Sequence, residues 1–294
     1  MSLRAAWRPT KESLRRSPVD LLRTVARHAV DRSALDGLLR PERVPWPYRR
    51  YLALPDRKLV YAQIPKVASG NLKRWMLLEA GIPEDAWELD PLHGIHPFAD
   101  RTLRVADRSV CFDPSYRKVA FVRSPYRRLV SGFVDKLVVP YTGPAERTDN
   151  TPGRPILSWL RVWRRRRPLD VTFNDFLGFV CGAPDVALDE HWLPQVRFLA
   201  DVRFDLLPKI ERFAEGLEAM QALVGAQTSF TVKKARRPYD DAFDGYAGDL
   251  PIGELTQRDA APRWTTFYTE ETARRVYRRY RDDFERLGYG PELG

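Results

Sequence analysis

Apolar and polar positions along the chain repeat a strand, turn, helix pattern. From Lys58, KLVYAQI is apolar and rich in β-formers, PKVASGN is a turn, and LKRWMLLEAG runs at helical spacing to a stop at Gly81. KVAFV at 118–122 is a second short buried strand, RSP a tight turn, and YRRLVSGFVDKLV a helix with Leu129, Val130, Phe133, Val134 and Leu137 on its apolar side. DLLPKI at 205–210 and a helix around 213–223 supply a third unit. Alternation of this kind predicts an α/β fold, a parallel sheet with helices packed on it. A last helix is expected from about Thr269 to Leu287, with Ala273, Val276, Tyr277, Tyr280, Phe284 and Leu287 as its buried stripe and Gly288 as its stop.

Three stretches fall outside this pattern. Residues 17–32 read as a basic helix, with Ser17 as cap and Val19, Leu22, Val25, Ala26 and Ala29 on one stripe. The Pro-rich run from Pro41 to Pro55 reads as an extended connector pinned by Trp46, Tyr48 and Tyr51. Tyr141–Leu169 reads as an insertion or lid, because Pro, Gly and Thr fill its first half and RRRR at 164–167 its second. The organisation expected is thus an arm and connector over 1–57 and a main domain over 58–294.

The 44% hydrophobic and 12% aromatic content supports a packed core and excludes a disordered chain. The net charge of +10 favours a partner or substrate carrying negative charge. Much of that excess is local, since residues 1–60 hold 14 basic and 6 acidic residues. Two cysteines, Cys111 and Cys181, are too few for a disulfide scaffold, so a reducing, cytoplasmic location is the expectation. The sequence shows no apolar run suited to a signal peptide or a membrane span.

Two turns carry candidate chemistry. In IPKVASGN at 64–71 a Lys and a hydroxyl sit beside small residues where a helix begins, so free amides and the helix dipole attract an anion while Lys66 and Ser69 add a charge and a donor. The same segment also reads as an ordinary turn with a capping serine, and neither GxxxxGK[ST] nor GxGxxG is present. In FVRSPYRRLVSGF at 121–133, Arg123 ends a strand and Ser131 lies two helical turns further on, where a forked donor and a hydroxyl suit a phosphate. Taken singly, Ser131 is a tolerated helix serine, and Arg127 and Arg128 read as a solvated face.

Together PKVASGNLK and RSPYRRLVSGFVDK resemble the paired cofactor signatures of the sulfotransferases, in particular the carbohydrate group that contains the chondroitin 4-O-sulfotransferases. HWLPQ at 191–195, DLLPKIERF at 205–213 and YRRYRDDFERLGY at 277–289 extend the resemblance over roughly residues 58–290. It implies a P-loop-like α/β fold that binds 3'-phosphoadenosine 5'-phosphosulfate and moves its sulfuryl group to a hydroxyl of a carbohydrate or glycolipid acceptor, with no metal. By this resemblance Lys66, Val67, Ala68, Ser69, Gly70 and Asn71 hold the 5'-phosphosulfate, and Arg123 and Ser131 grip the 3'-phosphate. Gly70 stands where the family carries Thr. The cysteines that follow HW in the animal members are missing, so a soluble bacterial-type version fits better.

A general base is expected from histidine, which titrates near neutrality. His93 and His96 in DPLHGIHPFAD lie between the two cofactor turns; His96 aligns better with the family's histidine there, and surface roles for both stay open. His191 reads as structural because its HW motif is remote in sequence from both turns, and Glu190 is a further fallback. No histidine has metal-ligand spacing. The alternative readings are a polyanion or nucleic-acid binding module, motivated by RRRR and the nearby Trp159 and Trp163, and a small-molecule P-loop kinase. Neither explains the two turns as well, so nucleic acid is not expected as a partner. The 17–32 helix leaves a weak peripheral membrane contact open.

Overall fold

The structure, a computed structural model, describes residues 44–90, 94–142, 156, 157, 160, 161, 167–226, 228, 229, 231, 232, 239, 240 and 242–293. The basic 17–32 helix, His93 and most of the 141–169 insertion lie outside the described residues.

The chain alternates strands and helices: β1 (Tyr51–Leu54), β2 (Leu59–Ala62), α1 (Ser69–Glu79), α2 (His96–Leu103), β3 (Arg117–Val119) and α3 (Pro125–Phe133). There follow α4 (Phe173–Gly182), α5 (Val196–Leu199), α6 (Phe213–Val224), β4 (Tyr239–Asp240), α7 (Ile252–Thr256), β5 (Ala261–Pro262), α8 (Glu270–Arg279) and α9 (Arg281–Arg286).

The main sheet has the order β1-β2-β3. β2 and β3 are parallel, with Val60 opposite Lys118. Parallel bridges from Val119 to Leu206 and from Val122 to Lys209 add the 205–210 segment beside β3. Helix α6 follows it, so the third expected unit is present.

Two expectations need correction. The sheet is not wholly parallel, because β1 returns antiparallel against β2 with Tyr51 opposite Ala62. The end of the Pro-rich run is therefore an edge strand, not a connector. Pro55 starts a short turn that Lys58 closes in the left-handed region, and this tight reversal lays β1 antiparallel beside β2. Tyr51 is wholly buried and its hydroxyl donates to the Phe198 carbonyl at 2.7 Å, which fixes the strand to the core.

The expected 269–287 helix is two helices that meet at Tyr280. Thr269 and Thr272 form a capping box that starts α8, and Ala273, Val276, Tyr280, Phe284 and Leu287 are buried as expected. One apolar cluster packs around the sheet, α1 and α2; a second packs α3 against α4, α8 and α9. The buried apolar residues of α3 all belong to the second cluster, and the helix starts just beyond the carboxyl end of β3, the edge where ligands bind in open α/β sheets. Among the described residues, no helix is long and apolar enough to cross a membrane.

Candidate functional site

β2 ends at Ala62, and the chain turns through Lys66 and Ala68 into α1. Both residues take left-handed backbone conformations, with φ of 72° and 57°, a region that costs non-glycine residues energy and that recurs at functional sites. Val67, wholly buried, anchors the turn. Ala68 occupies the N-cap and offers no side-chain acceptor, so the first amides of α1 keep their positive end uncapped. That is the condition for an anion cradle, and it sets aside the reading of Ser69 as a cap, since Ser69 is the first residue of the helix itself.

The second turn joins the first. Nη1 of Arg123 donates to the Lys66 carbonyl at 3.1 Å. Beyond Phe133, α3 widens into a π turn over Val134–Val138, and this carries Asp135 to Lys66, whose Nζ lies 3.1 Å from Oδ2. Ser131 sits one helical turn before Asp135, on the same face of α3. Burial pulls the Lys66 ammonium down to about 8, with Asp135 acting against it. Asp135 is held well below the usual carboxylate range, because Lys66 and Lys136 outweigh its own burial.

His96 is the first residue of α2 rather than a loop residue, and its ring lies on the start of α1. A Cβ built on Gly70 would stand 3.6 Å from its Nε2 and 3.8 Å from its Cε1, ordinary contact distances, so the imidazole packs beside Gly70. Its Nδ1 is 2.9 Å from Nζ of Lys73, and that Nζ is 2.5 Å from Oδ1 of Asp100. Lys73 is wholly buried, and burial lowers its ammonium to about 8 while Asp100 raises it. Burial first and the Lys73 charge second push His96 down to about 4. With an ammonium donating to Nδ1, a neutral ring carries its proton on Nε2. In that tautomer the Nε2–H of His96 faces the start of α1.

The HW segment, remote in sequence, is adjacent in space. Arg128, expected on a solvated face, is 1% exposed: Nε donates to the Pro65 carbonyl at 3.0 Å, Nη1 to Leu193 at 2.7 Å and Nη2 to Glu190 at 2.9 Å. It ties the first turn to the segment that carries His191. These three carbonyls satisfy the guanidinium in the interior. Nδ1 of His191 lies 2.6 Å from Oδ1 of Asp189. Burial and the charges of Lys136 and Lys66 lower His191, and Asp189 opposes them. Glu190 is held by Arg50.

The structure joins Arg123 to the Lys66 carbonyl and seats His96 against Gly70 in the turn and helix start that also hold Val67, Ala68, Ser69 and Asn71, and it places Ser131 on the face of α3 that leads to Asp135. Sequence reasoning missed Asp135, Lys73, Asp100 and Arg128. For Lys73 a signal existed, since it ends the quoted PKVASGNLK. Among the described residues, no group of three or more His, Cys, Asp and Glu could hold a metal ion.

A model of the sulfotransferase family matches residues 49–290. Human carbohydrate sulfotransferase 14 is 28% identical over 171 residues, 55% of this chain and 43% of that protein. Human carbohydrate sulfotransferase 8 is 26% identical over 185 residues, 59% of this chain and 42% of that protein. Rat carbohydrate sulfotransferase 11 is 25% identical over 225 residues, 69% of this chain and 61% of that protein. The chain spans about half the length of these curated relatives. No solved structure matches it.

Proposed function

The chain belongs to the sulfotransferase family, and from that premise we propose that it transfers a sulfuryl group from 3'-phosphoadenosine 5'-phosphosulfate to a hydroxyl of a carbohydrate or glycoconjugate. The observation that carries this reading is the junction of the two turns: an uncapped α1 start, Lys66 beside it, and Arg123 bonded to the Lys66 carbonyl.

These residues fit a ligand with two anionic ends. The bound donor supplies an activated sulfuryl group. Around it, the first amides of α1 and the Nε2–H of His96 would face the 5' end, and Arg123 with Ser131 the 3'-phosphate. Lys66 would exchange its contact with Asp135 for the oxygen on which charge develops, an interaction stronger in the transition state than before it. Asp135 keeps that ammonium charged and aimed in the resting protein. The likeness to carbohydrate sulfotransferases supports a carbohydrate acceptor.

Calorimetry tests the nucleotide assignment. Arg123→Ala is expected to weaken binding of 3'-phosphoadenosine 5'-phosphate by about 1.5–3 kcal/mol while changing 5'-AMP binding little, since only the former carries the phosphate it grips. Equal losses for both nucleotides would remove Arg123 from that role.

A further inference from the structure

Lys136 closes the motif RSPYRRLVSGFVDK and has no task in the reading above. It stands in the π turn that ends α3, and its Nζ lies 3.0 Å from Oδ2 of Asp135, the same oxygen that Nζ of Lys66 approaches to 3.1 Å. One carboxylate oxygen thus gathers two ammonium groups, and the trio keeps a positive charge that Asp135 does not neutralise. An ammonium has three donors, and the contact with Asp135 needs only one of those on Lys136. The Lys136 side chain is 27% exposed against 16% for Lys66, so of the two cations it is the more open to an incoming molecule.

The place of Lys136 along the helix fits the acceptor rather than the donor. Arg123 precedes α3, Ser131 lies near its end, and Lys136 follows Ser131 by more than a helical turn. A donor whose 3'-phosphate meets Arg123 and Ser131 and whose leaving oxygen meets Lys66 leaves Lys136 past its sulfuryl end. In an in-line displacement that is the side from which the hydroxyl arrives. The charge of Lys136 also acts on His96 at the start of α2 and on Asp189 and His191 in the HW segment, so three elements converge around it. A lysine meets a negative group as a compact point charge. The partner it already holds, Asp135, is a carboxylate.

We propose that Lys136 determines acceptor specificity by holding a carboxylate of the acceptor, so that the preferred acceptor is an acidic sugar chain with a carboxylate next to the hydroxyl that receives the sulfuryl group. This rests on the sulfuryl-transfer reading above. Asp135 positions Lys136 for that contact. When Lys66 turns to the leaving oxygen, Asp135 keeps Lys136 as its partner, so its charge stays paired throughout the transfer.

The experiment gives the full chain labelled donor and either a glycan containing uronic acid or the same glycan after reduction of its carboxyl groups to alcohols. The wild type is expected to favour the acidic glycan by about tenfold in kcat/KM, through the acceptor KM more than kcat. Lys136→Met is expected to bring that ratio to about one, with 3'-phosphoadenosine 5'-phosphate affinity unchanged by calorimetry. Lys136→Arg keeps the charge and is expected to retain most of the preference. Equal kcat/KM for the two glycans in the wild type, an equal loss on both in Lys136→Met, or a loss of nucleotide affinity in that variant would overturn the assignment. Transfer to neither glycan by the wild type would instead overturn the sulfuryl-transfer reading. Calorimetry of the acidic glycan on the chain loaded with 3'-phosphoadenosine 5'-phosphate still reads the assignment without turnover: binding about tenfold weaker in Lys136→Met supports it, and equal binding overturns it.

Discussion

The side-chain amide of Gln195 holds Arg123 by both of its backbone polar groups: Oε1 accepts the Arg123 amide at 2.9 Å, and Nε2 donates to the Arg123 carbonyl at 2.8 Å. Gln195 is itself fixed by Asp283, whose carboxylate accepts the Gln195 and Val196 amides at 2.8 Å and 2.9 Å. HWLPQ and YRRYRDDFERLGY, remote in sequence, thus form one support under the turn that carries Arg123.

Gln195→Ala is expected to weaken 3'-phosphoadenosine 5'-phosphate binding without touching the nucleotide. Two buried backbone groups lose their partners, at about 1–3 kcal/mol each in stability. Chemical denaturation and calorimetry on the same preparation check both effects. Unchanged nucleotide affinity in a folded variant would show that Arg123 does not depend on this support.

Arg128→Ala is expected to be among the most destabilising single substitutions, on the order of 3–5 kcal/mol, because three buried carbonyls lose their donors. Arg127→Ala, whose guanidinium lies over the Trp264 ring 4.9 Å from its centroid, should cost about 1 kcal/mol or less. Thermal unfolding of the two variants side by side distinguishes them, and equal shifts would contradict the burial of Arg128.

His96 links acid to stability. Its native value near 4 lies below the ordinary 6.5, so between these values the unfolded chain binds the proton that the native ring refuses. Stability therefore rises with pH across that window and is lost as pH falls through it, by about 3 kcal/mol. His96→Gln should flatten this part of the curve. A slope unchanged by the substitution would place His96 outside its buried contact with Lys73.

How much of this was legible in the sequence follows from how local each signal is. Lys66 and Arg123 announce themselves because a turn between a strand and a helix is a local event, written in consecutive residues. Arg128 was misread because helical spacing cannot tell one arginine from its neighbour when the partners are carbonyls of Pro65, Glu190 and Leu193. The proton placement on His96 is illegible for a similar reason. Its tautomer depends on Lys73, which only the packing of α1 against α2 brings to Nδ1. β1 was hidden by its prolines, since the Pro-rich context masks four residues whose pairing is set by the following turn.

The most direct measurement of the central claim is transfer of a radiolabelled sulfuryl group from 3'-phosphoadenosine 5'-phosphosulfate to a panel of glycans by the full chain, run in parallel with Lys66→Ala. Label in at least one glycan, and a rate about 10²-fold lower in the variant, is the predicted result. No label in any glycan, or equal rates for the two proteins, would contradict the account.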